Sequence, residues 1–78
     1  MKADKSIKQK LSKKIGNAIK FYRVKNNITQ EALAYEVGID RTYIGALEQG
    51  AKCASVYCLY LISQELGIKL TDLFDFTI

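Results

Sequence analysis

The 78-residue chain has no histidine, no proline and only two cysteines, Cys53 and Cys58. Two thiols without further partners do not make a zinc site, so we expect no metal and no cofactor. No secretory signal is recognisable, so these cysteines are expected to be reduced thiols of a cytoplasmic protein rather than a disulfide. No apolar run approaches the roughly 18 residues of a membrane span, so we expect no membrane partner.

Side chains suited to catalysis are scarce as well. The sequence has no histidine, no carboxylates paired at one recognisable site, no glycine-rich phosphate loop and no evident nucleophile. An enzyme is therefore not expected.

Charge is distributed unevenly along the chain. Residues 1–25 carry nine Lys or Arg and one acid, a net charge of +8, whereas residues 26–78 carry three basic and seven acidic side chains, a net charge of −4. A basic segment on a mildly acidic body indicates a surface that meets a polyanion. A solvated, lysine-rich tail explains the same pattern, and charge alone leaves both interpretations open.

Helical spacing of apolar residues dominates the chain. We expect residues 1–6 to form a flexible basic segment and residues 7–78 a single domain, whose first helix runs from Ile7 to about Asn26–Asn27. Polar residues that can cap a helix start three more helices, at Thr29, Asp40 and Ser55, and glycines end them, at Gly38, Gly50 and Gly67. The fourth helix is expected to point Val56, Leu59, Ile62 and Leu66 inward. With a last short helix at Thr71–Asp75, the pattern predicts an all-α fold, a compact five-helix bundle.

The segment Thr29–Gly50, TQEALAYEVGIDRTYIGALEQG, is the most informative part of the sequence. It predicts two short helices joined by a sharp turn at Gly38, with Ile44 and Leu47 holding the second helix on the core. This is the pattern of a helix-turn-helix, whose second helix, 41–49, presents its outer face to the major groove of DNA.

These features together resemble the Cro/CI-type (XRE) helix-turn-helix transcriptional regulators. The resemblance runs from about Ile15 to Phe74 and rests on four motifs: T-Q-E-A-L-A at Thr29–Ala34, Val37-Gly38-Ile39, Ile44-x-x-Leu47-Glu48-x-Gly50, and Leu66-Gly67-Ile68. It implies a lambda-repressor-like DNA-binding domain. The stretch Asp40-Arg41-Thr42-Tyr43-Ile44 is also similar to the recognition helix of restriction–modification controller proteins.

The resemblance implies DNA base contacts from Arg41, Thr42 and Ala46. Arg41 suits a bidentate contact to guanine, with a phosphate contact as the alternative, and Thr42 suits a neighbouring base. Ala46 stands where many relatives have a polar side chain, and it can meet only a thymine methyl group. The glycine beside it, Gly45, is expected to serve either a close approach to DNA or packing.

The resemblance also implies phosphate contacts from Arg23, Thr29, Gln30, Tyr43, Gln49 and Lys52. Gln30 opens a helix where backbone N–H groups and a side-chain amide can hold a phosphate, although an ordinary exposed glutamine is the alternative. Tyr43 fits a partly buried aromatic nearly as well. Arg23 and Glu48 match family positions that form an ion pair between the first and third helices, which would orient the recognition helix.

Apolar residues on the outer side of the fourth helix and at the C-terminus predict a homodimer. The expected interface residues are Tyr57, Tyr60, Leu61, Phe74, Phe76 and Ile78, because so small a core cannot bury all of them. The alternative is that Tyr60 and Phe76 complete the core of a monomer. A two-fold dimer would hold its recognition helices about 34 Å apart over a palindromic operator.

The sequence therefore predicts a sequence-specific regulator that binds double-stranded DNA as a homodimer. The alternative is an antitoxin-like protein-interaction module, whose exposed aromatics bind a second protein and for which DNA binding is secondary.

Overall fold

The computed structural model describes residues 4–78. Within that range the chain forms helices and connecting loops, with no β-strand, as an all-α fold requires. The elements in chain order are α1 (Lys5–Lys25), α2 (Gln30–Val37), α3 (Arg41–Glu48), α4 (Val56–Leu66) and a 3₁₀ helix (Leu70–Phe74).

The fifth predicted helix is a 3₁₀ helix, so the bundle has four α-helices rather than five. Its backbone bond from the Asp72 N–H to the Lys69 carbonyl, 3.0 Å long, spans three residues instead of four. Lys69 cannot cap a helix with its side chain, and instead its own N–H donates to the Asp72 carboxylate at 2.9 Å. This short segment bends back onto the core before an α-helical turn can be established.

The predicted caps of α2, α3 and α4 are confirmed. Thr29 Oγ1 accepts a hydrogen bond from the Ala32 N–H at 3.0 Å, and Asp40 Oδ1 accepts one from the Thr42 N–H at 2.9 Å. Ser55 Oγ likewise accepts from the Cys58 N–H at 3.1 Å. Each bond satisfies one of the first-turn N–H groups that have no partner inside the helix.

Helix α1 begins earlier than predicted. Asp4 caps it by accepting a hydrogen bond from the Ser6 N–H at 2.9 Å, so α1 begins at Lys5, two residues before the predicted start at Ile7. Residues 1–3 of the predicted flexible segment lie outside the described residues. The pattern of apolar residues starts at Ile7, so it gave no indication of the cap that the side chain of Asp4 forms.

The turns between helices follow the predicted positions. Gly38 and Gly67 take the left-handed backbone conformation, with φ of 85° and 68°, and so end α2 and α4. Asn27, with φ of 58°, does the same in the loop after α1. Helix α3 ends at Glu48, one residue before the predicted end, because the Gly50 N–H closes a tighter bond to the Leu47 carbonyl at 3.1 Å.

The core draws one or more buried side chains from every helix. Ile19 of α1, Ile44 of α3, Ile62 of α4 and Leu73 of the 3₁₀ helix have no exposed surface. Leu33 of α2 is also buried. Burial of these side chains in one common core removes apolar surface from water, which stabilises the fold. The buried face of α3 therefore determines the orientation of this helix.

Two glycines bring the backbone of α1 and the end of α3 into contact. A β-carbon at Gly16 would overlap the carbonyl oxygen of Leu47 and lie 2.9 Å from that of Glu48. A β-carbon at Gly50 would lie 2.9 Å from the Cα of Lys13. The C-terminal end of α3 is therefore seated directly on the backbone of α1.

Candidate nucleic-acid interface

The outer face of α3 forms one side of an open surface groove. We call it the recognition groove, and it is lined by Gln30, Arg41, Thr42, Gly45, Ala46, Gln49 and Ala51. It brings together five of the residues predicted to contact DNA, although they come from two helices. Ile44 and Leu47 are buried on the opposite face of α3, which explains why these side chains point outward.

Gly45 has room for a β-carbon on the outer face of α3. A β-carbon there would meet only the side-chain amide of Gln30, at 3.7 Å from Oε1, which is an ordinary contact distance. Packing within the described chain therefore does not require glycine at this position. Together with Ala46, Gly45 makes the middle of α3 flat.

A buried carboxylate anchors the two ends of the helix-turn-helix to α1. Glu48, whose side chain is 2% exposed, accepts hydrogen bonds from Arg23 Nε at 2.5 Å and Nη2 at 3.0 Å. Arg23 also donates through Nη1 to the Ile28 carbonyl at 2.8 Å. The pair is bidentate and charge-assisted, which is the strong geometry for an arginine and a carboxylate.

Gln30 joins the same network. Its side-chain Nε2 donates to Glu48 Oε1 at 3.0 Å, so the first residue of α2 is oriented by the last residue of α3. This orientation turns Gln30 Oε1 toward the Gly45 side of the recognition groove. The sequence predicted the pairing of Arg23 with Glu48 but not the bond from Gln30.

The remaining predicted phosphate contacts lie apart from the recognition groove. Thr29 lines a separate surface on the outer side of α2, beside Glu31, Ala32, Tyr35 and Glu36. Lys52 is exposed in the loop after α3.

Tyr43 is partly buried and packs against the core. Burial raises the pKa of its hydroxyl, with smaller contributions from the nearby thiols of Cys58 and Cys53. Burial also raises the pKa of the Cys58 thiol. The tyrosine therefore faces the start of α4, and a phosphate contact by its hydroxyl stays a prediction.

A second exposed surface, which we call the apolar face, is formed by α4 and the C-terminal residues. Tyr57 is 72% exposed, and Tyr60, Phe74 and Ile78 are exposed as well. Leu61 is half-buried and Phe76 packs against the core. The inward orientation predicted for Val56 is wrong: it is 66% exposed, because the first residue of α4 lies beyond the edge of the core, and it adds to the apolar face.

The outer side of α1 carries another apolar pair that sequence reasoning missed. Phe21 and Val24 are more than half exposed, with the amine of Lys25 5.7 Å from the centre of the Phe21 ring. Phe21 and Val24 are three residues apart and lie off the buried face of α1, and this spacing could have identified the pair from the sequence.

Residues 4–78 contain neither a membrane-spanning helix nor a cluster of metal-ligating side chains. No helix in this range is long and apolar enough to cross a membrane. In the same part of the chain, no three His, Cys, Asp or Glu side chains lie together as potential metal ligands.

Comparison with known proteins places this arrangement among helix-turn-helix proteins. A family model described as a helix-turn-helix domain matches residues 16–76. The control protein C.BamHI of Bacillus amyloliquefaciens is 43% identical over 53 residues, 68% of this chain and 65% of that protein, so the match spans just under two thirds of its length. The control protein C.MunI of a Mycoplasma species is 39% identical over 63 residues, 80% of this chain and 85% of that protein.

A solved structure shows the same fold. The restriction–modification controller protein C.AhdI of Aeromonas hydrophila superposes with a TM-score of 0.78 at 30% identity, over 81% of this chain and 96% of that one.

Proposed function

The chain belongs to the Cro/CI-type (XRE) helix-turn-helix family of transcriptional regulators, and on that premise we propose that it is a sequence-specific regulator of the controller type. It binds double-stranded DNA by placing α3 in the major groove. The observation that carries this proposal is the recognition groove, in which Arg41 and Thr42 lie beside Gln30 on one exposed surface. An exposed helix with polar side chains in its first turn is the geometry that reads base edges.

Each residue of the recognition groove has a role that its position supports. Arg41 and Thr42 contact bases at the start of α3, and Ala46 packs on a thymine methyl group. Gln30 and Gln49, at its rim, contact phosphates on either side. The absence of a side chain at Gly45 allows the backbone of α3 to approach the bases closely.

The supporting residues act around that groove. Thr29, Tyr43 and Lys52 contribute further phosphate contacts, and Arg23 holds Glu48 while its guanidinium remains near the DNA backbone. Because the guanidinium and the carboxylate are both largely buried, they set the angle of α3 relative to α1.

We further propose that the regulator binds as an isologous homodimer through the apolar face. Tyr57, Tyr60, Leu61, Phe74 and Ile78 supply its centre, with Phe76 beneath them. Apolar side chains clustered on one surface favour an interface over solvent. Two copies related by a two-fold axis read a palindromic operator with half-sites about one helical turn apart.

The experiment that tests this function is selection from a random duplex pool. Purified protein is incubated with the pool at about 150 mM salt, and the retained DNA is sequenced. Enrichment of an inverted repeat with half-site centres about 10 base pairs apart supports dimeric, sequence-specific binding. Absence of any enriched sequence contradicts the proposal.

The dimer is tested separately by Tyr57→Asp. A carboxylate at the centre of the apolar face should convert a dimer to a monomer in sedimentation and weaken operator binding. Tyr35→Asp is the matched control for sedimentation, because Tyr35 is 81% exposed but lies on α2. An unchanged sedimentation coefficient for Tyr57→Asp would contradict the proposed interface.

A second candidate function is an antitoxin-like module that binds another protein. The observation in its favour is that the exposed apolar residues of α1, Phe21 and Val24, lie outside both the recognition groove and the apolar face. Purification from the native source distinguishes the two candidates, because an antitoxin is recovered with a stoichiometric second protein. For either function, we propose that the protein acts in the cytoplasm.

A further inference from the structure

The lysines of the first helix have no part in the site described so far. The first turns of α1 and the loop that follows α3 face each other across a polar surface groove, which we call the flanking groove. It is lined by Lys8, Gln9 and Ser12 of α1 and by Gly50, Ala51, Lys52 and Cys53 of the loop.

The flanking groove meets the recognition groove at Ala51. Ala51 lines both of them, so a ligand seated on α3 and extending past Ala51 reaches the flanking groove directly. The two walls of the flanking groove are held at a fixed separation, because the backbone of Gly50 is packed against Lys13 of α1. Residues far apart in sequence thus form one preformed surface.

The chemistry of the flanking groove suits an anion. Lys8 and Lys52 contribute two ammonium groups, and Gln9 adds an amide donor, whereas no carboxylate lines it. The nearest acid along α1 is Asp4, and its carboxylate is engaged with the Ser6 N–H. A lysine from each wall can approach one phosphate from two sides.

We propose that the flanking groove binds a phosphate of the DNA backbone beside the half-site read by α3. This inference rests on the proposed function, and it assigns the basic start of the chain to the DNA interface rather than to a solvated tail. Lys8, Gln9 and Lys52 then extend the contact surface without reading bases, so they raise affinity equally for all sequences.

The test compares Lys8→Gln with Lys20→Gln in the full-length protein, because each substitution removes one positive charge and Lys8, unlike Lys52, has no other proposed contact with DNA. Lys20 lies on α1 outside the flanking groove, where it lines the exposed Phe21 surface, and is the control for loss of general positive charge. Binding of a fluorescent duplex recovered from the random pool is measured by anisotropy between about 50 and 200 mM salt. Circular dichroism melts of each variant establish that all three proteins are folded.

The slope of log affinity against log salt is negative, and loss of one phosphate contact should reduce its magnitude by about 0.9. The ratio of the Kd of Lys8→Gln to that of wild type should therefore be largest at low salt and should fall about 3.5-fold across the range. The enriched sequence should be the same for both proteins. Lys20→Gln should leave the slope near its wild-type value.

Two results overturn the inference while the proposed function stands: a salt dependence of Lys8→Gln that is as steep as that of wild type, or an equal loss of steepness in Lys20→Gln. If the wild-type protein itself enriches no sequence and binds no duplex, the proposed function fails, and the inference fails with it.

Discussion

The side chain of Gln30 donates a hydrogen bond of 3.0 Å to Glu48, which ties the first residue of α2 to the last residue of α3. Glu48 also holds Arg23 of α1, so one carboxylate connects three helices. Its burial excludes water from these bonds, and every polar side-chain atom buried within residues 4–78 has a partner. The position of the Gln30 side chain relative to α3 thus depends on Glu48.

The first prediction concerns the stability that this carboxylate provides. Glu48→Ala leaves the Arg23 guanidinium, 12% exposed, without its charge partner and should lower the free energy of unfolding by about 3 kcal/mol. Urea denaturation measures the change. Glu65→Ala, an exposed position on α4, is the control and should stay within about 0.5 kcal/mol of wild type. Equal effects of the two substitutions would show that the network does not stabilise the fold.

The second prediction concerns Gln30 itself. Gln30→Ala should weaken binding to the selected operator and to unrelated duplexes by a similar factor, because a phosphate contact carries no sequence information. Competition binding with both kinds of duplex measures the two factors. A loss confined to the selected operator would instead assign Gln30 to base recognition.

The third prediction concerns Arg41, which lies in the first turn of α3. Arg41→Ala should relax the preference at one base pair of each half-site, at a cost of about 1–3 kcal/mol for the selected sequence. Repeating the selection with the variant shows which position loses its preference. A uniform loss over all sequences would make Arg41 a backbone contact, the alternative that the sequence left open.

Local features of the fold could be predicted from the sequence because their causes are local. Thr29, Asp40 and Ser55 cap helices through N–H groups only two or three residues away, and Gly38 ends α2 because it tolerates the left-handed conformation. The fold and the outward-facing residues of α3 follow from such signals combined with the spacing of apolar residues, whereas the contacts predicted for these residues and for Gln30 came from the resemblance to the helix-turn-helix family.

Features that depend on distant parts of the chain could not be predicted in this way. In the sequence, nothing distinguishes Gly16 from the other residues of α1, because its contact with the end of α3 forms only in the folded chain. The Gln30–Glu48 hydrogen bond joins residues 18 positions apart. Helical periodicity assigned Val56 to the core, but periodicity specifies only the face of a helix and not how far along the helix the core extends.

The last prediction contrasts Gly16 of α1, which packs against the end of α3, with Gly45 on the outer face of α3. Gly16→Ala should destabilise the protein by about 3 kcal/mol, the upper end of the cost of overpacking, because the added methyl group would meet the backbone of α3, which a side-chain rotation cannot relieve. Gly45→Ala should do the opposite and stabilise α3 by up to about 1 kcal/mol, since its β-carbon has room and alanine favours the helix.

Operator binding should separate these effects. Gly45→Ala should weaken binding, although the protein is more stable, because its methyl group occupies the space through which α3 approaches the bases. Urea denaturation and anisotropy on the same preparations give both quantities. If Gly45→Ala binds the operator as tightly as wild type, the recognition helix does not approach the bases closely at its middle, and base reading is confined to the first turn, at Arg41 and Thr42.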